Sequence, residues 1–154
     1  MSEPTDLDAQ LRALGPEALK TLARNPRPRD DLRLRLRYIT DLVQEAGPIK
    51  NKAALIMRPP IGKPIVAPLK DKFTFGRASA CDLNVTADAE LSRAHFQLIK
   101  TTHENYFVED LNSRNGTCVN NYDARVTRRE LRNGDLILAG AQVLLFWRKE
   151  PELI

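Results

Sequence analysis

The chain has 154 residues, 42% hydrophobic and 29% charged, with a formal net charge of +4. That composition suits one globular domain with a true core plus an extension, and it excludes wholesale disorder. The mild positive balance allows an anionic partner without requiring nucleic acid.

Taken in chain order, the opening MSEPTDLDAQ is polar and acidic and lacks the basic-then-apolar order of a secretory signal. No apolar run reaches the roughly 18 residues that a membrane span needs, so a cytoplasmic protein without membrane association is expected. Leu7, Leu11 and Leu14 recur at helical spacing, Gly15-Pro16 interrupts them, and Glu17 to Ala23 resumes the pattern. Asn25-Pro26-Arg27-Pro28-Arg29 reads as a link. In DDLRLRLRYITDLVQEAGP, Leu32, Leu36, Ile39 and Val43 share one helical face, with Asp30 or Asp31 as cap and Gly47-Pro48 as stop. Arg27, Arg29, Arg33, Arg35 and Arg37 resemble a basic patch. Residues 1–52 nevertheless hold ten basic and eight acidic side chains, the balance of a solvated helix face.

From about residue 52 the period changes to two. AALIMR, PIVAPL, KFTFGR, HFQLIK, NYFVED, GDLILAG and QVLLFWRK are short runs bounded by Gly, Pro, Asn and Asp, the rhythm of a β-sandwich or barrel. The expected organisation is a helical arm over 1–51, a mainly β domain over 52–149 and a tail over 150–154. Two cysteines, Cys81 and Cys118, sit in no C-x-x-C pair. They are expected to stay reduced and to pack as small hydrophobes, with no metal site.

The unusual polar residues gather in S-R-A-H (92–95) and N-S-R-N-G-T (112–117). Ser92 and His95 are three apart, but no G-x-S-x-G elbow surrounds the serine, and the other histidine, His103, lies in a separate loop. No Gly-rich phosphate loop is present either. Catalysis is therefore not expected. The groups suit holding an anion instead: a guanidinium offers a planar donor fork, a serine hydroxyl can donate to a further oxygen, and an asparagine amide both donates and accepts. Such an array, cationic and without a general base, would hold a dianionic phosphate and leave it intact.

FTFGRASACDLNV, LSRAHFQLI, FVEDLNSRNGTCVN and LRNGDLILAG, in that order, resemble the Gly-Arg, Ser-x-x-His, Asn-Gly-Thr and late Gly-Asp motifs of the forkhead-associated (FHA) domain. The resemblance covers roughly residues 52–149. It implies an FHA-type sandwich of about eleven strands, preceded by the helical extension, that binds phosphothreonine peptides through loops at one end. Carried over, Arg77 contacts phosphate or the adjacent peptide backbone, Ser92 donates to phosphate and Asn115 clamps the backbone. Arg93 and Arg114 are further candidate contacts; Arg114 stands where many members carry a small residue. Gly76, His95, Gly116 and Thr117 support the site. Asn121 stands where glycine is commoner, and asparagine tolerates the left-handed conformation such a turn needs.

The residues alone do not supply the convergence. A strict up-and-down count puts Arg77 and Ser92 at opposite ends of the short strand LNV, and only the resemblance brings their loops together. The implied partners are phosphothreonine-containing proteins, and Ser/Thr kinases or their substrates; no cofactor and no nucleic acid is expected. The alternative is a phosphate-independent scaffold that uses the sandwich and the arm, whose apolar faces would dimerise or dock. Thr5, in SEPTDLDAQ, is a candidate phosphosite that could occupy the pocket of its own chain.

Overall fold

The structure, a computed structural model, describes residues 28–59 and 61–149. The Leu7–Leu14 and 17–23 segments, residues 25–27 of the expected link, Thr5 and the 150–154 tail lie outside these residues, as does the side chain of Leu32.

Helix α1 (Pro28–Ala46) begins at Pro28. The expected link thus gives way to helix two residues before Asp30 and three before Asp31, the aspartates named as cap, and proline's fixed φ suits a first helical turn. Its end is where Gly47-Pro48 placed it. Gly47 takes φ +78 and its N–H donates to the carbonyls of Val43 (3.2 Å) and Gln44 (3.3 Å).

Eleven strands follow: β1 (Ala53–Met57), β2 (Ile65–Pro68), β3 (Lys72–Gly76), β4 (Leu83–Asn84), β5 (Phe96–Lys100), β6 (Tyr106–Asp110), β7 (Thr117–Val119), β8 (Arg125–Val126), β9 (Arg128–Glu130), β10 (Leu136–Ala139) and β11 (Gln142–Arg148). They form a six-stranded sheet, β2-β1-β11-β10-β7-β8, facing a five-stranded sheet, β4-β3-β5-β6-β9. Of the β-sandwich or barrel expected from strand rhythm, the sandwich is present. Leu55, Phe73, Phe75, Phe96, Leu98, Val108, Ile137, Leu144 and Phe146 fill the space between the sheets.

The two sheets are patterned differently, and α1 is the reason. In β5 and β6 buried Phe96, Leu98, Tyr106 and Val108 alternate with partly exposed residues. By contrast β1 and β10 are buried at every position. Ala53, Leu55 and Met57 point into the sandwich, while Ile56 joins Cys118, Leu136, Leu138 and Leu145 on the opposite face. There they meet Leu42, fully buried, with Tyr38, Ile39, Val43 and Ala46 around it. A sheet covered on both faces needs continuous apolar runs, which AALIM and LILA supply.

One expectation about α1 is corrected. Leu36 does not share the buried face and is 55% exposed. The buried stripe centres on Leu42, and at 3.6 residues per turn Leu36 lies about 120° round the helix from it. Polar contacts add to the docking: Arg58 after β1 pairs with Glu45 and lies 5.9 Å from the Tyr38 ring centroid, and Arg35 Nη1 donates to the Asn120 carbonyl (3.4 Å). No disulfide joins Cys81 to Cys118. Cys118 packs beneath α1, whereas half-exposed Cys81 turns its thiol toward the Arg93 carbonyl (3.2 Å).

Candidate functional site

The up-and-down count fails because β4 pairs with β3 in parallel, Phe75 opposite Leu83 and Gly76 opposite Asn84. After Gly76 the chain loops back through 77–82 before running up again beside the strand it left. Arg77 and Ser92 therefore leave from the same end of the sandwich. The Arg77 N–H donates to the Ser92 carbonyl (3.0 Å) and the Ala78 N–H to the Arg93 carbonyl (3.1 Å), binding the β3–β4 loop to the β4–β5 loop. Gly76 makes this approach feasible. A Cβ there would lie 2.2 Å from the Arg93 carbonyl oxygen and 3.0 Å from the His95 nitrogen, both backbone atoms.

His95 ties in the third loop, β6–β7. The ring is fully buried. Its Nδ1 accepts from the Ser92 N–H (3.0 Å), which leaves Nε2 to carry the proton and donate to the Gly116 carbonyl (2.8 Å). One side chain thus fixes the backbone on both sides of the site. Beneath the β6–β7 loop, Asp110 accepts from the hydroxyls of Ser113 (2.5 Å) and Thr117 (2.7 Å) and from the Ser113 N–H (3.1 Å). The Ser113 hydroxyl in turn accepts from the Gly116 N–H (3.0 Å). Asp88 anchors the β4–β5 loop to the β10–β11 hairpin, accepting from the Ala141 N–H and Gln142 Nε2, each at 2.9 Å.

The groups facing outward complete the site. Ser92 Oγ accepts from the Arg114 N–H (3.0 Å), so its own hydrogen is left to donate outward. Asn115 Nδ2 donates to the Glu90 carbonyl (2.9 Å), leaving its Oδ1 open. Arg77 spends only Nε, on the Leu91 carbonyl (3.1 Å), and Arg114 touches the Ala89 carbonyl at 3.4 Å. Arg93 contributes through its carbonyl, and its side chain is exposed. None of these three arginines has a carboxylate partner among the described residues. The eight other nominated positions thus gather with Arg77 at one end of the sandwich. Three contributors had no signal in the motifs: Asp88, Asp110 and Arg125. The last is an exposed residue of β8 whose side chain lies over Gly116. Only its position in the strand pairing places it there.

Residues 73–140 match the family model of the FHA domain. The chain carries an FHA domain. Solved FHA structures superpose on it. One, from work on phosphothreonine-dependent FHA domain interactions, is 26% identical with a TM-score of 0.55 and covers 65% of this chain and 98% of its own. The FhaA FHA domain, complexed with the intracellular domain of Rv3910, is also 26% identical, with a TM-score of 0.53 over 61% of this chain and 98% of its own. The N-terminal FHA domain of S. cerevisiae Rad53p, in complex with a phosphothreonine peptide, shares the fold at 23% identity, with a TM-score of 0.54 over 63% of this chain and 93% of its own. No curated protein matches the sequence significantly.

One turn of the FHA domain differs from expectation. The left-handed residue after β7 is Asn120 (φ +68), one before the Asn121 nominated from sequence. Asn120 is also tied by its side chain, accepting from the Leu136 N–H (2.9 Å) and donating to Asp135 (3.1 Å). Asn121 Oδ1 instead accepts from the Asp123 N–H (2.7 Å), closing the next turn.

The Asp110 cluster makes FHA-loop stability depend on pH. Burial opposes the aspartate charge, but the donors from Ser113 and Thr117 outweigh it and hold the carboxyl below its ordinary range. A depressed folded value means a contribution fully present above the unfolded carboxylate range, about 3.9, and lost as pH falls through the lower folded value. Asp110→Asn should melt below the parent protein at pH 7, and the gap should close on acidification. A gap constant from pH 7 to pH 2.5 in thermal melts would remove Asp110 from this role.

Proposed function

We propose that the loop end of this FHA domain binds phosphothreonine in partner proteins, non-catalytically, and so recruits or senses targets of Ser/Thr kinases. The observation that carries the reading is the meeting of the Arg77 guanidinium, which spends only Nε within the protein, the outward hydroxyl hydrogen of Ser92 and the amide of Asn115 on three loops held together by His95. A phosphothreonine brings a charge near −2 and three acceptor oxygens to match the donors. Arg77 and Ser92 take the phosphate in this reading, Arg93 and Arg114 add cationic contacts, and Asn115 clamps the peptide backbone. Among the described residues no histidine with an open ring nitrogen lies at this end. His95, the histidine at this end, is buried with both nitrogens engaged. The phosphate is therefore held and left intact. The relatives found in phosphothreonine-dependent interactions support the same reading.

The test is calorimetric titration of the full chain with one peptide in three forms. The phosphothreonine form should bind in the micromolar range, about −8 kcal/mol. The unphosphorylated form should not bind. The phosphoserine form should be weaker by about 0.8 kcal/mol or more, one buried methyl. Equal binding of phosphorylated and unphosphorylated forms would instead favour a phosphate-independent scaffold.

A further inference from the structure

The two sheets differ in what covers their outer faces. α1 seals the six-stranded sheet, while the five-stranded sheet carries no second layer among the described residues. Phe73, Phe75, Phe96, Leu98 and Val108 point into the sandwich, so their strand neighbours point out. Strand pairing lines those outward residues up in two rows across β3, β5, β6 and β9. One row reads Lys72, Ile99, Phe107, Glu130, and the other reads Thr74, Gln97, Glu109, Arg128. The second row is paired within itself: Gln97 Nε2 and Arg128 Nε donate to Glu109 at 2.8 and 2.9 Å, and the Arg128 guanidinium lies 4.2 Å from the Phe107 ring centroid. The ends of the first row are not. Lys72 and Glu130 are exposed, and neither has an ion-pair partner among the described residues. They lie three strand spacings apart, about 14 Å, too far to meet within one copy. Ile99 and Phe107, between them, are half-buried.

A cation, two apolar groups and an anion in that order form a pattern that complements its own reverse. A half-turn about an axis along the strands, between β5 and β6, exchanges β3 with β9 and β5 with β6. It sets Lys72 against Glu130 of a second copy and Ile99 against its Phe107, and each contact occurs twice. In the other row Gln97 meets Glu109 and Thr74 meets Arg128, so no like charges oppose. An axis across the strands would instead set Lys72 on Lys72 and Glu130 on Glu130. Charge therefore selects the first arrangement, in which the strands of the two sheets run aligned, an ordinary way for sheets to pack. We propose that the outer face of the five-stranded sheet is the interface of a two-fold symmetric dimer of this chain. A face of four strands and two rows is small, which places the dimer among weak, reversible associations. Because the axis follows the strands, both loop ends point the same way. With about 10 Å between the sheets of a sandwich and about 10 Å across the interface, the two sites stand roughly 20 Å apart. Resting on the phosphothreonine reading above, the dimer takes a partner that carries two phosphothreonines.

The experiment is sedimentation velocity on the full chain over a wide concentration range, with no peptide present. The parent should pass from monomer to dimer with a Kd in the micromolar range. Lys72→Glu and Glu130→Lys should each weaken dimerisation at least tenfold, since each puts two like-charge pairs into the interface. An equimolar mixture of the two variants should recover the parent Kd within threefold, because each supplies the charge the other lacks. Thermal melts check that both variants keep the fold. A monomer at every concentration overturns the proposal, as does a dimer that neither variant weakens or a mixture that does not recover. Fluorescence anisotropy then compares a peptide bearing one phosphothreonine with a peptide bearing two, joined by a flexible linker of about fifteen residues, long enough to span the sites. The second should bind the parent at least tenfold more tightly, and Glu130→Lys should cut that gain to about twofold. Binding of both peptides to the dimer without a gain overturns the shared direction of the two sites. Failure of both to bind overturns the phosphothreonine reading and leaves the dimer standing.

Discussion

Arg77→Ala is expected to weaken phosphothreonine-peptide binding by at least a hundredfold, about 2.7 kcal/mol, and to leave the sandwich folded. In the folded protein the side chain makes one bond, from Nε to the Leu91 carbonyl, while the loop is held by the Arg77 and Ala78 N–H groups, which the substitution keeps. Binding loses much more, because charged hydrogen bonds are each worth about 1.5–3 kcal/mol and the guanidinium supplies more than one. Ser92→Ala should fall in the same range. It removes the outward hydroxyl donor and also the acceptor of the Arg114 N–H, which becomes free to shift. Arg77→Lys separates charge from shape: it keeps the cation and loses the fork, so binding should be intermediate. Titration of the three variants against one phosphopeptide, with melts run alongside, decides the matter. Parent-like affinity in both alanine variants would sink the assignment of the phosphate to these two side chains.

Gly76→Ala should damage the fold as well as the site. The obstacle is not backbone conformation, since Gly76 is not among the positive-φ glycines. It is the Arg93 carbonyl oxygen, 2.2 Å from where the new methyl would sit, with the Arg93 carbonyl carbon at 2.9 Å. No rotamer relieves a contact between a Cβ and two backbone atoms, so the β3–β4 and β4–β5 loops must part. Overpacking of this kind costs about 1–3 kcal/mol, and more where the backbone has to move. Since 1 kcal/mol shifts Tm by roughly 4–8 °C in a domain of this size class, a fall of about 10 °C or more is expected. The amides of Arg77 and Ala78, bonded across the gap, should lose hydrogen-exchange protection first. Phosphopeptide binding should disappear with them. Unchanged protection at these two amides would show that the loops absorb the methyl.

Much of this architecture was legible in the chain, and the limits have physical causes. Runs such as HFQLIK and NYFVED carry period-two burial, and they became strands. β7, β8 and β9 are two or three residues long and carry no period, so their existence came only through the family resemblance. Direction was the larger gap. Nothing in GRASACDLNV says that the chain doubles back to run parallel beside β3, yet that reversal puts Arg77 and Ser92 at one end. The helix illustrates a signal present but incompletely read. AALIM and LILA have no polar alternation because a second layer covers them, and Leu36 was placed on the apolar face of the helix, whose buried stripe centres on Leu42. Arg125 escaped for another reason: its relation to Gly116 is set by strand pairing nine residues along the chain.

The family match begins at residue 73, but the hydrogen-bonded framework does not. β1 lies between β2 and β11, five registered pairs joining it to β11 alone. A fragment cut to the matched residues 73–140 would lose β1, β2 and β11, baring the edge of β10 and the greasy underside that Leu42 seals, two surfaces prone to find each other in neighbouring copies. Insolubility of such a fragment would then speak of where the scissors fell, and would say nothing against the loops that grip phosphate.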